Sequence, residues 1–124
     1  MRGVVVTTNN ELYVKEFAPP LYQSIGEVVD GWIEIVRPRG LKHRLVMVVN
    51  EEGLLRNLPL NVFGSILYGI HIHGNPIVGN IVFMKEDYTI DGLDFVELTD
   101  SDIQEIKVLA RNVSGGEIKE IEAR

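Results

Sequence analysis

Two histidines one residue apart, His71 and His73, are the side chains in this 124-residue chain that most directly suggest chemistry. On one face of a strand, imidazoles at that spacing share a divalent metal if a third ligand joins them, and His43 or a carboxylate is the candidate. No third ligand stands at a motif spacing, so the pair is expected to be the exposed polar face of a hairpin, with no metal requirement. A second group gathers Asn50, Glu51 and Glu52 with Asn61 and Asn80, polar residues at the ends of apolar runs. Ligand or partner sites form at such strand ends in α/β and α+β folds. The same residue types also serve backbone groups in turns and helix caps.

Two charge runs complete the candidates. Arg37, Arg39, Lys42, His43 and Arg44 place five groups able to carry positive charge within eight positions, enough to touch a phosphate locally. No aromatic residues interleave them for base stacking, and the formal net charge is −6, so nucleic acid is not the expected partner. From Glu86 to Asp102 the charge is acidic, with a spacing that does not match a calcium-binding loop. A solvated loop leading into a helix N-terminus accounts for it. There is no Cys, which excludes disulfides, thiolate zinc sites and thiol chemistry. Phosphate-binding glycine loops, nucleophile elbows and zincin motifs are missing as well. No cofactor is expected.

These residues hang on two apolar runs. Leu45–Val49 and Ile81–Met84 lack the alternation of a half-exposed strand, so Val48, Val49, Ile81 and Val82 are expected in a sheet covered on both faces. Between them, Asn50–Gly53 reads as a turn, and Asn61 caps a short helix through Tyr68. Ile70–His73 alternates, and with Gly74-Asn75 as a turn and Pro76–Val78 as the return it predicts a second hairpin. Upstream, Gly3–Thr7 and Leu12–Phe17 predict a hairpin whose second strand lies at a sheet edge. Pro19-Pro20 opens a helix with Leu21, Ile25, Val28 and Val29 on one stripe and Gly31 as its C-cap, Gly26 marking a close approach to the sheet. A strand over Trp32–Val36 follows, with Glu34 on the face of Trp32. Downstream, Lys85–Asp102 is expected as a loop with a short strand at Phe95–Leu98. Ser101–Gln104 fits a capping box opening a helix on Ile103, Ile106, Leu109, Ala110 and Val113, and residues 115–124 form a tail that is frayed or docked on a neighbour.

Length and composition, with 45% hydrophobic and 24% charged residues, fit one folded domain over residues 1–124. The expected fold is α+β, a mixed or largely antiparallel sheet of five to seven short strands with three helices. No apolar run approaches the roughly 18 residues that span a bilayer, and the opening apolar run is too short for a signal peptide, so a cytoplasmic protein is the default.

Three segments carry a family resemblance: Val28–Val36, Val48–Asn61 and Pro76–Val82. As an ordered set, over roughly Leu21 to Asp102, they resemble the uncharacterised family catalogued as domain of unknown function 3846. Members often occur on phages, plasmids and other mobile elements, and no activity or catalytic residue is established, so the resemblance implies a context and no mechanism. Against that pattern the chain carries Ile70–Asn75 between the helix and the Pro-Ile-Val-Gly turn, and Asn80 where Asp is common. The leading expectation is a non-enzymatic accessory or interaction module acting through protein contacts. The alternative is a small enzyme or ligand-binding domain built on Asn50, Glu51, Glu52, Asn61 and Asn80, or on the two histidines. With apolar groups on both faces of Leu12–Phe17 and Ile118 and Ile121 in the tail, a two-fold homodimer is expected. The competing arrangement folds the tail back over that edge within one chain.

Overall fold

The computed structural model describes residues 1–124, apart from the side chain of His71. Among the described residues the chain forms seven strands and three helices of seven or more residues, with one further helical turn. The strands are β1 (Arg2–Val6), β2 (Glu11–Glu16), β3 (Ile33–Val36), β4 (Leu45–Asn50), β5 (Ile81–Thr89), β6 (Gly92–Val96) and β7 (Lys119–Glu120). The helices are α1 (Leu21–Val29), α2 (Val62–Tyr68) and α4 (Asp100–Ser114), and α3 (Ile70–His73) is the extra turn. One mixed sheet runs β3-β4-β5-β1-β2-β7, with β6 also paired to β5. Its pairings are antiparallel except β2 with β7. The α+β expectation holds.

Both faces of this sheet are covered, which is why the central runs are apolar without alternation. Met47, Val49, Ile81 and Phe83 pack with Phe63 of α2 and with Ile103, Ile106 and Ala110 of α4. Val46, Val48, Val82 and Met84 pack on the other face with Ile25 and Val29 of α1. All four residues expected in the sheet interior, Val48, Val49, Ile81 and Val82, are buried. Each fully buried aliphatic side chain contributes about 1.5–3 kcal/mol, so these two central strands carry much of the hydrophobic stabilisation.

Several boundaries differ from the sequence reading. Asp30, not Gly31, is the left-handed C-cap of α1, as Asn and Asp can be when a side-chain oxygen helps the turn. A Cβ on Gly26 would sit 2.8 Å from the Gly31 carbonyl oxygen, so the close approach is to the chain leaving the helix rather than to the sheet. Trp32 precedes β3 instead of belonging to it. Thr99 caps α4, its hydroxyl accepting from Asp102 N and the Asp102 carboxylate accepting from Thr99 N. The box thus begins two residues before Ser101, which falls in the first turn. The expected acidic loop is largely a β5–β6 hairpin, closed where the Thr89 hydroxyl accepts from Asp91 N and donates to Gly92 O. Asp91-Gly92 between runs of strand-forming residues is the signal that marks it.

Among the described residues the second expected hairpin is absent. Gly69 (φ 100°) ends α2 and turns the chain directly into α3, which Gly74 (φ 74°) closes by donating its N–H to Ile70 O. Left-handed glycines at both ends make a single helical turn cheaper here than a strand that no neighbour would pair. The returning Pro76–Val78 segment is held on α2 instead. Ser65 Oγ donates to Ile77 O and accepts from Ile77 N, and Val78 makes an isolated bridge to Leu60.

The tail is ordered along the β2 edge. Lys119 N donates to Asn10 O, Ile121 N to Leu12 O and Arg124 N to Val14 O, while the Arg124 guanidinium lies over Tyr13. The edge that looked bare in sequence is therefore covered within the chain, and the free sheet edge of the main strand order lies at the opposite end, on β3.

Candidate functional site

The five polar candidates separate in space. Asn50, Glu51 and Glu52 line one groove of 380 Å³, with Glu34, Leu54 and Tyr68 among its other walls. Asn61 and Asn80 are outside it. Asn50 is buried at the end of β4, where its amide donates to Val29 O and Asp30 O, both 2.9 Å, and its Oδ1 accepts from Glu52 N at 2.7 Å. It ties the end of α1 to the turn after β4. Asn61 caps α2 through Gly64 N and donates its amide to Val6 O and Gly79 O. Asn80 accepts from Thr8 N and reaches Val28 O at 3.4 Å. Each amide is committed to backbone groups. Among the described residues no buried side-chain nitrogen or oxygen is left without one. The groove keeps Glu51 and Glu52 as exposed carboxylates.

The histidine pair lies in α3, not on a strand. The side chain of His71 is outside the described residues. His73 stacks edge-on to Tyr68, its Nδ1 accepts from Asn75 N at 3.0 Å, and its Nε2 lies 3.0 Å from Tyr68 O. The network assigns the proton to Nε2, so both ring nitrogens serve the ends of α2 and α3. Among the described residues no three His, Asp or Glu side chains are grouped to hold a metal ion. Replacing His71 and His73 together by Ala is expected to leave the thermal midpoint within a few degrees of the parent. Metal analysis is expected to find no stoichiometric zinc in either protein; zinc present in the parent and lost from the double variant would overturn this.

The two charge runs meet at Arg37 and Arg44, and their other members turn elsewhere. Arg37 donates two hydrogen bonds to Glu86, at 2.6 and 2.9 Å. Arg44 reaches Asp87 at 3.3 Å and covers the ring of Tyr88, and His43 lies 3.6 Å from Glu105. Among the described residues Arg39 and Lys42 have no carboxylate within 4.0 Å. Glu86 is buried, and the Arg37 guanidinium holds its carboxyl below the usual range against the cost of burial. For Asp102, burial acts upward, but the Thr99 N–H and hydroxyl together with the Lys85 ammonium at 3.0 Å bring the carboxyl below its ordinary value.

A carboxylate whose folded pKa lies below its unfolded one stabilises the fold above the unfolded value and loses that contribution as pH falls through the folded value. Stability against urea is therefore expected to drop as pH falls below the ordinary carboxylate range, about 4. Asp102→Asn should be less stable than the parent at pH 7 and show a shallower acid loss. Parallel acid profiles for the two proteins would remove Asp102 from this account.

What sequence reading missed is the surface around β3. Trp32 O accepts from Glu51 N. By the alternation of an antiparallel ladder, the N–H and C=O groups of Ile33 and Ile35 then point away from β4 into open space. Large apolar side chains stand beside this edge: Trp32 is 71% exposed and Leu55 85%. Trp32 and Tyr22 line a groove of 420 Å³ on the α1 face, and Leu54 and Leu55 belong to the groove of Asn50–Glu52 on the other. An unpaired strand flanked by exposed apolar residues on both faces is a surface suited to added strands. Arg56, which donates to the Asp30 carbonyl and carboxylate, braces the corner between the two grooves.

The profile of the family described as domain of unknown function (DUF3846) matches residues 1–111. The chain belongs to that family. The match is wider than the Leu21–Asp102 resemblance. It takes in the β1–β2 hairpin and most of α4, elements that supply Val4, Val6 and Ile106 to the same core as β4 and β5. The strand β7, which covers β2, lies past the residues matched to DUF3846. No curated protein and no solved structure matches the chain.

Proposed function

We propose that the chain is a non-enzymatic interaction module that works through protein contacts at the β3 edge, in the mobile-element setting that the family resemblance implies. One observation carries the reading. Ile33 and Ile35 turn unpaired backbone groups outward at the free end of a seven-stranded sheet, between exposed Trp32 and exposed Leu54 and Leu55. The polar residues that would have served a small ligand are instead consumed by the backbone, as Asn50, Asn61 and Asn80 are.

A selection from displayed random peptides tests it, using sparsely immobilised parent protein and the variant Ile35→Pro. Proline removes an outward N–H without touching the β4 ladder, and edge strands tolerate it. Peptides enriched on the parent are expected to lose binding to Ile35→Pro, provided the variant melts like the parent. Should Ile35→Pro fail to fold, Trp32→Ala together with Leu55→Ala makes the same comparison from side chains alone. No enrichment, or peptides indifferent to both variants, would defeat the reading; indifference combined with loss on Glu51→Ala would favour ligand binding in the groove.

A further inference from the structure

We propose that the occupant of the β3 edge is a second copy of this chain, its β3 lying antiparallel to the first across a two-fold axis perpendicular to the sheet. The proposal rests on the interaction reading above and names its partner. In such a pairing the faces of the two sheets are continuous and the strand directions opposed. Whatever stands beside the start of β3 in one copy therefore meets whatever stands beside its end in the other.

The edge is built with opposite ends that match. On the α2 face two grooves share Tyr68, one lined by Glu34 and Val36 of β3 and the other by Arg37–Gly40 just beyond the strand. The groove at the start of the strand holds Glu34, Glu51 and Glu52 beside exposed Leu54 and Leu55. At the end of the strand a groove of 460 Å³ holds Arg39, which has no carboxylate within 4.0 Å among the described residues, beside exposed Ile66 and Ile72. Antiparallel doubling brings Arg39 of one copy toward Glu51 and Glu52 of the other, and Ile66 and Ile72 toward Leu54 and Leu55. It does so twice, by symmetry.

Electrostatics also narrows the register. Three alignments set the outward groups of Ile33 and Ile35 against those of the other copy. Setting Ile33 opposite Ile35 stacks Glu34 directly on Glu34 across the axis, and like charges directly opposite are destabilising. Setting Ile33 opposite Ile33 places Glu34 against Trp32, and setting Ile35 opposite Ile35 places it against Val36; both avoid that clash. At a net charge of −6, two copies repel at long range. The polarised β3 edge is a surface where approach is favourable, and a heterologous partner would need the same reversed order of charge and apolar groups that a second copy already has.

Sedimentation equilibrium from low to high micromolar concentration tests this through a charge exchange. The parent is expected to show twice the 13.9 kDa chain mass. Arg39→Glu, and separately Glu51→Lys with Glu52→Lys, are each expected to weaken the dimer by at least about tenfold, as for charge pairs set against their like. An equimolar mixture of the two variants is expected to recover it, because each copy then presents the other's complement. Circular dichroism melts matching the parent establish that these exposed substitutions leave the fold intact. A single 13.9 kDa species at all concentrations overturns the dimer and leaves the peptide selection to judge the interaction reading. A dimer unaffected by all of these variants, or a mixture no tighter than either variant alone, overturns its placement on β3.

Discussion

Val49→Asp is expected to leave the chain unfolded at room temperature. Val49 lies on β4 opposite Glu34 of β3, buried in the cluster that joins the sheet to α2 and α4. Removing its side chain forfeits about 2 kcal/mol of apolar burial. A carboxylate in its place must either shed its hydration or take up a proton, a further cost of about 3–5 kcal/mol when no partner charge is built for it. The sum rivals the whole stability of an ordinary domain, about 5–15 kcal/mol. The control is Ile90→Asp: Ile90 is fully exposed in the turn between β5 and β6, and a surface change of this kind is expected to stay within about 0.5 kcal/mol. Far-UV circular dichroism with a thermal melt distinguishes the two. A Val49→Asp protein that melts with the parent would remove β4 from the centre of the sheet.

The second large effect is expected at Asn61, which is 1% exposed. Asn61→Ala removes the cap on Gly64 N, worth about 1 kcal/mol. It also withdraws the amide from the Val6 and Gly79 carbonyls, to which it donates at 3.1 and 3.0 Å; Val6 keeps its ladder neighbour Ile81 of β5, and Gly79 loses its donor. A buried acceptor left unpaired costs about 1–3 kcal/mol, so with the cap the expected loss is about 2–4 kcal/mol. For a domain of this size that lowers the melting midpoint by roughly 10–20 °C. Asn80→Asp is the informative contrast. A carboxylate still accepts from Thr8 N, but it sets an acceptor in place of the amide donor at the long 3.4 Å contact to Val28 O, so a loss of about 1 kcal/mol is expected, smaller than at Asn61. If Asn61→Ala melted with the parent, the amide would not be holding β1, β5 and α2 together, and a ligand role for Asn61 would return.

Local and periodic features were legible in the order of residues alone. The runs Leu45–Val49 and Ile81–Met84 announced a sheet covered on both faces, because strands that lie between two layers have no side to expose. Pro19-Pro20 before an apolar stripe located α1, and Asn61 before Val62 located α2, because helix ends need particular residues whatever the rest of the chain does. The ordered segments from Val28 to Val82 were enough to recognise the family. What sequence left open were contacts between residues far apart in the chain. Ile70–His73 alternates like a strand, yet a strand needs a neighbour, and only the packed structure shows that none is there and that two left-handed glycines make a helical turn instead. Asn50, Asn61 and Asn80 read as a possible site because their types suit one. Their backbone partners, Val29, Val6 and Thr8, lie 21, 55 and 72 residues away and become visible only on folding. The position of the free edge was decided in the same way. Ile118 and Ile121 carry no sign of where they dock, and it is the pairing of β7, which lies between them, with β2 that closes one end of the sheet and leaves β3 open at the other.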